Sequence, residues 1–243
     1  AFPSFDTALA DFNFSQLFSE NRFTGNDRIS DANQLTAAVV SRFIEESGAE
    51  RMRFALAQRF YFNEQRVAGA AGNVPGISTG GVPGSGRSDI LLAASGQVSR
   101  ALALETSIQY GQSTRSVSRS TYGVRWQPKP MHVLNAQYRR DVPASLELVD
   151  VSAQWPLSSR WYGVGRINYS LRDSKVAEGV IGLEYKADCW VFRLVGQQRP
   201  TATGVTSSAL FIQLELNGLS RIGSNPMEVL RNNIPGYQVI NQP

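Results

Sequence analysis

The chain has 243 residues, 18% of them charged, with 24 Lys+Arg against 20 Asp+Glu and a net charge of +4. Its 42% hydrophobic and 10% aromatic content exclude a disordered chain, and the lack of any apolar run of about 18 residues excludes helical membrane spans. One cysteine, Cys189, excludes a disulfide-stapled miniature fold. The mild positive charge identifies no anionic partner, and no nucleic-acid partner is expected. No basic and apolar leader opens the chain, so a secretion signal is expected to have been removed or to lie upstream.

Residues 1–33 carry little periodicity beyond a short helical turn near Ser15–Ser19. From Gln34 onward the dominant period is two. In 101–111, Leu102, Leu104, Thr106, Ile108 and Tyr110 share one face, and Ala103, Glu105, Ser107, Gln109 and Gly111 the other. Such alternation is a strand with one apolar and one polar side. Eleven strands are expected, at about 34–46, 50–62, 88–98, 101–112, 117–127, 131–140, 147–157, 160–171, 175–187, 189–199 and 207–217. Soluble strands average about 5–6 residues. These reach about 10–13, enough to cross a bilayer at a tilt. A second helical turn is expected near Asn225–Leu230.

Periodicity does not say which face points outward, since a soluble barrel would show the same alternation with its apolar side inside. Two features point to a membrane barrel. Connections alternate between tight (Ser47–Ala49, Ser99–Arg100, Pro128–Pro130, Ser158–Ser159, Asp188) and longer (63–87, 113–116, 141–146, 172–174, 200–206), with a Gly-rich stretch in 69–86. That asymmetry matches periplasmic turns and extracellular loops. The four tryptophans, Trp126, Trp155, Trp161 and Trp190, all sit beside tight turns with apolar-face parity. A rim of amphipathic aromatics suits a membrane–water interface. Together these predict an all-β fold: an antiparallel transmembrane β-barrel segment of about 11 strands.

Single-chain bacterial barrels have an even number of strands. An odd count predicts that 1–33 is an extracellular loop segment, 34–217 the transmembrane strands and 218–243 a periplasmic C-terminal tail, all within a larger protein. The tail, with Pro226, Pro235 and Pro243, must pack against something or be mobile.

Site chemistry is sparse. His132 is the only histidine. A metal site needs several converging ligands, and its apolar parity argues against a catalytic triad, so it reads as an interfacial side chain. Gly84–Ser85–Gly86 lacks the Lys-Ser/Thr and the helix of a phosphate loop. Glu105, Glu178 and Glu184 share the polar face with Arg119, Arg125, Arg139, Arg166 and Arg193, and read as neutralising lumen charges rather than an acid–base pair. Cys189, at a tight turn in a compartment that supports disulfides, is either an inert thiol or pairs with a cysteine outside this chain.

The segments Phe5-Asp6-Thr7, Gln16-Leu17-Phe18, Asn21–Ile29 (NRFTGNDRI) and Asp31–Thr36 (DANQLT) resemble the LPS-assembly outer-membrane protein family, LptD. So do Ser41-Arg42-Phe43, Glu50-Arg51 and Gln58–Phe62, and at the other end Gly182–Tyr185, Asp188-Cys189-Trp190, Leu214–Ser220 and Met227–Tyr237. The resemblance spans the chain, strong at both ends and weak between about 64 and 150, with Asn21–Ile29 its most specific motif. It implies the C-terminal part of a barrel of about 26 strands, which takes lipopolysaccharide from periplasmic bridge proteins and inserts it among outer-membrane lipid. It implies an LptE-type lipoprotein plug, no cofactor and no bond chemistry. The first and last strands of such a barrel form a lateral gate. Here the last strand contributes Leu210, Phe211, Ile212, Gln213, Leu214, Glu215 and Leu216. The resemblance also implies that Cys189 is bridged to the family's N-terminal periplasmic domain. Some members carry two adjacent cysteines. Here Asp188 precedes a single one, so one bridge is expected.

Two other functions fit parts of the pattern. A porin-like solute channel would conduct ions through a closed barrel, and a soluble barrel would bind a small apolar ligand without detergent. A first prediction separates Cys189's two roles. The full-length parent protein is expected to migrate differently on reducing and non-reducing gels, and Cys189→Ser is expected to abolish the difference. Unchanged migration would make the thiol a bystander.

Overall fold

The computed structural model describes residues 8–9, 16–21, 23–24, 29, 33–63, 86–200, 206–216 and 219–240. Of the 21–29 motif only residues 21, 23–24 and 29 are among them, and the Gly-rich 69–85 stretch lies outside them. Two short strands, β1 (Ala8–Leu9) and β2 (Phe23–Thr24), pair antiparallel, with a 3-10 turn at Gln16–Phe18 between them. Alternation then builds β3 (Gln34–Ile44), β4 (Glu50–Tyr61), β5 (Ile90–Ser99), β6 (Leu102–Gly111), β7 (Ser116–Lys129) and β8 (His132–Asp141). It continues through β9 (Leu146–Pro156), β10 (Trp161–Ser170), β11 (Lys175–Lys186), β12 (Trp190–Pro200) and β13 (Thr206–Leu216). A four-residue strand, β14 (Ser220–Gly223), and one helix, α1 (Pro226–Asn233), follow.

Strands β3 to β14 form a single 12-stranded antiparallel sheet in which each strand neighbours the next in sequence. The expected count of eleven is therefore one short, and the sheet extends past residue 217 to Gly223. β14 escaped the periodicity because four residues carry only two alternations. The chain forms two compact units, one of 1–96, 105–121 and 141–145, the other of 97–104, 122–140 and 146–243. No helix among the described residues is long and apolar enough to cross a membrane, which leaves crossing by strands open.

The polarity of the sheet is inverted relative to a water-soluble core. In the first unit the register sets Val39 against Leu56 and Phe43 against Met52 on an exposed apolar face. In the second, Ile181 is 76% and Leu210 65% exposed, while Gln154, Glu184 and Arg193 are fully buried. Exposed leucine alone means little. A contiguous exposed apolar face backed by buried charge means that hydrocarbon, not water, covers it.

The connections correct the expected asymmetry. The stretches 112–115, 142–145 and 171–174 are four-residue turns, not loops. Each closes on a residue in the left-handed region: Arg115 (φ 50°), Ser145 (φ 54°) and Ser174 (φ 52°). Side chains lock two of them. Asp141 Oδ1 accepts from Ala144 N at 3.1 Å, and Ser170 Oγ donates to Asp173 Oδ2 at 2.9 Å. Asp and Ser stabilise tight turns by such bonds to their own loop, which shortened what looked like loops.

Glycine marks where layers close. A Cβ at Gly182 would lie 2.8 Å from the Leu194 carbonyl oxygen and 2.9 Å from Val164 Cγ2. At Gly196 it would meet nothing nearer than 3.9 Å. Gly182→Ala is thus expected to destabilise the folded chain by about 1–3 kcal/mol through overpacking. Gly196→Ala is expected to be neutral or slightly stabilising. The temperature at which the compact band disappears on a semi-native gel checks both.

Candidate functional site

The register brings three inward positions of β11, β12 and β13 into one row: Glu184 opposite Arg193, and Arg193 opposite Gln213. Arg193 is fully buried there. Its Nε donates to Glu184 Oε1 at 3.0 Å, and its Nη1 to Glu215 Oε2 at 2.6 Å and Gln213 Oε1 at 3.0 Å. Arg221 on β14 donates to the other Glu215 oxygen at 2.8 Å. Two carboxylates thus face two guanidinium groups. An isolated buried charge costs several kcal/mol, and a paired, hydrogen-bonded one avoids most of that cost. The planar guanidinium fork suits the two-sided geometry in a way that lysine would not.

The segment after β14 folds back onto this polar face. Asn225 caps α1 by accepting from Met227 N, Pro226 fits the first turn, and Glu228 and Arg231 stand at the helix ends that favour their charges. Met227, Leu230 and Ile234, spaced three and four apart, bury one stripe. Leu230 and Ile234 pack against Val164, Val180 and Val195, with Phe211 and Tyr237 alongside. Polar ties continue the seam. The Tyr237 hydroxyl donates to Glu184 Oε1 at 2.7 Å. Burial and the Glu184 carboxylate push that phenol well above its ordinary pKa, so it stays a protonated donor. Gln154 and Gln238 exchange two bonds, of 2.7 and 2.9 Å, and Met131 N donates to Gln238 Oε1 at 2.6 Å. Arg166 joins Asp150, Glu178 and the Asn233 side chain.

In the first unit a buried arginine again ties a short segment down. Arg59 Nη2 donates to the carbonyls of Gln16 (3.1 Å), Leu17 and Ser19 (2.9 Å), drawing the carbonyls of the 3-10 turn together. Leu17 packs beside it on Ala57 and Leu91. Nearby, Asp89 accepts from Gln109 Nε2 at 2.7 Å and Ser118 Oγ at 3.0 Å, and Arg119 pairs with Asp141 at 2.9 Å.

The residues singled out from sequence fall as follows. Glu184 meets Arg193, and Glu178 meets Arg166, whereas Arg119 pairs with Asp141 rather than with a glutamate. Trp126 stacks on Trp155 at 5.7 Å, and His132 stands edge-on to Trp155 at 4.7 Å. Tyr185 bridges Trp161 (4.9 Å) and Trp190 (5.2 Å). Cys189, the one cysteine of this chain, is exposed in the bend between β11 and β12. On β13, Leu210, Ile212, Leu214 and Leu216 lie on the outward face, while Phe211, Gln213 and Glu215 point inward. β13 is not the last strand, as the sequence led one to expect, because β14 covers Gln213–Leu216.

Sequence reasoning missed the docking of the tail. Its signal was available. Val164, Val180, Val191 and Val195 place apolar side chains on the inward face, and the 227–230–234 spacing supplies a matching apolar stripe.

A long-stranded antiparallel sheet, apolar outside and charged inside, is a wall segment of an outer-membrane β-barrel. The chain belongs to the LptD family: the model of that family, LPS transport system D, matches residues 1–161. It is 46% identical over 241 residues to the LPS-assembly protein LptD of Thiobacillus denitrificans, covering 99% of this chain and 32% of that protein. The proteins of the same name from Aromatoleum aromaticum and Azoarcus sp. are 45% and 44% identical, each over 99% of this chain and 30% and 29% of their own length. The chain therefore spans about a third of the length of the curated relatives it matches.

Arg193→Ala leaves Glu184 buried without its cation and is expected to cost about 3–5 kcal/mol. Tyr237→Phe is expected to cost about 1.5–3 kcal/mol, the value of a hydrogen bond to a charged group. Urea titration of the folded protein in detergent checks both values, and limited proteolysis should show cleavage near 225–240 rising in the same order.

Proposed function

We propose that this chain is the closing part of a barrel that carries lipopolysaccharide to the outer leaflet of the outer membrane. In this reading the outward face meets outer-membrane lipid, and Trp126, Trp155, Trp161 and Trp190 lie at the membrane–water interface. The sugar passes the polar inner side, and the acyl chains leave sideways at a gate formed in part by β13. Periplasmic bridge proteins supply the substrate, and an LptE-type lipoprotein fills the lumen. Cys189 bridges to the N-terminal periplasmic part. Moving a lipid along contacts requires no bond chemistry, so no catalytic residue is assigned.

The observation that carries this reading is the family match. Sideways release of a lipid requires a strand ladder that is broken somewhere, because a closed ladder satisfies every backbone group and has no edge. The tail supports lipid transport over a solute channel. Leu230, Ile234 and Tyr237 cover inward-facing Val164, Val180 and Val195, which a water-filled pore would leave wet.

The experiment is replacement in a Gram-negative cell whose own lipopolysaccharide inserter is depleted. The full-length parent is expected to restore surface lipopolysaccharide and viability, and purified protein in planar bilayers is expected to pass little current. Steady porin-like conductance without restored surface lipopolysaccharide would favour the solute channel.

A further inference from the structure

The segment after β14 crosses the inward side of the sheet and is tied to one strand after another. Leu230 and Ile234 rest on Val195 of β12, Val180 of β11 and Val164 of β10. Arg166 of β10 donates to the Asn233 side chain, and Tyr237 reaches Glu184 of β11. Asn135 of β8 donates to the Pro235 carbonyl at 2.9 Å, and Gln154 of β9 exchanges its two bonds with Gln238. Strands β8 to β12 stand side by side. At a spacing of about 4.8 Å, the ties cover about 19 Å across the strand direction. A backbone ladder joins only neighbouring strands, whereas this one piece of chain joins strands that are not neighbours.

The path of the chain produces these ties. Tyr237 N donates to Ile234 O at 2.9 Å, closing a turn in which Gly236 sits at φ +84°. The left-handed residue bends the chain back. Its two successors then diverge, Tyr237 toward β11 and Gln238 toward β9.

The apolar anchors stand where the sheet is weakest. Val164 is followed by Gly165, Val180 is preceded by Gly179, and Val195 is followed by Gly196. Side chains alternate, so each glycine stands on the outward face next to a valine that the segment covers from inside. The outward side there is a hollow of about 770 Å³, lined by Ala153 and these glycines. A Cβ would meet nothing nearer than 3.5 Å at Gly165 and 3.9 Å at Gly179 and Gly196, so close packing does not require glycine. A glycine has no side chain to pair across the ladder, and it weakens the strand that carries it. The cross-strand packing missing from the outward face is supplied on the inward face by the crossing segment.

From these observations we propose that 226–240 is a strap: it fastens β8 to β12 into one stiff plate across a glycine-weakened part of the wall, and it stays docked while the barrel works. The strap goes beyond the lipid-transport reading, because the stiffening does not depend on what the barrel carries.

Two measurements on the full-length protein test it. The first is hydrogen exchange in detergent, read by mass spectrometry. Tyr237→Phe with Leu230→Ala changes only the strap and leaves the strands as they are. Backbone amides of β10 and β11 are expected to exchange about tenfold faster, with β3 and β4 unchanged as the control for folding. Tyr237→Phe alone, a milder change, is expected to show the same pattern at about threefold. Faster exchange confined to 226–240 in both variants would make the segment a passive cover and overturn the proposal.

The second measurement fixes the strap to the wall in cells. A Cβ at Gly236 would lie 3.6 Å from Val133 Cγ1, so Val133→Cys with Gly236→Cys brings two thiols within bridging reach. The oxidised variant is expected to deliver surface lipopolysaccharide within about twofold of its reduced form, with the parent under both conditions as the baseline. A loss of about tenfold on oxidation of the variant alone would show that the strap must leave the wall, and would overturn its permanence. Should neither form of the variant deliver, hydrogen exchange decides the strap by itself. A parent that also fails to deliver takes down the transport reading instead, and the exchange result still judges the strap.

Discussion

A guanidinium buried between two carboxylates organises the second unit. Arg193 stands in a row with Glu184 and Gln213 across three strands and holds Glu215 from one side while Arg221 holds it from the other. Its consequences reach beyond the row. The pairing fixes the register of β11, β12 and β13, because a one-residue slip would turn every inward charge toward the apolar face. The same Glu184 oxygen that binds Arg193 accepts the Tyr237 hydroxyl, so the tail docks on the strands through the cluster that aligns them.

The two units use one device on different segments. Arg59 gathers the carbonyls of the 16–19 segment, and the Arg193 cluster receives the 226–240 segment. In each case a buried arginine on the polar face collects groups that would be satisfied by water in the unfolded chain. Apolar contacts supply the attraction, at about 1.5–3 kcal/mol for each fully buried aliphatic side chain. The polar bonds determine where the segment lands, because each unmade one would leave a buried group without a partner. Leu17 and the pair Leu230 and Ile234 supply the first; Arg59, Glu184 and Gln154 supply the second.

The tail is buried on the inward side, and the short strand before it covers part of the β13 edge. An exposed ladder is a site for unwanted pairing. β14 covers Gln213–Leu216, Ser224 bonds both edge-facing groups of Ile212, and Thr206–Phe211 has no strand partner on that side among the described residues.

Much of this was legible in the residues. Alternation determined that the chain is β, placed the boundaries of β3 to β13 within a few residues, sorted the side chains of each strand into two faces, and put the four tryptophans next to turns. Those are local properties, since a strand's two faces follow from a period of two. The family resemblance rested on short end motifs, and the Asn21–Ile29 motif lies mostly outside the described residues. Three things belonged to tertiary structure. The pairing of Glu184 with Arg193, and of Arg193 with Gln213, depends on register across residues 184–213, which no single strand encodes. β14 has too few residues for its alternation to be read, and it exists because β13 offers it an edge. The tail's apolar stripe was visible as spacing, but its landing place on Val164, Val180 and Val195 was not. Those valines come from three different strands and become one surface only when the sheet brings them together.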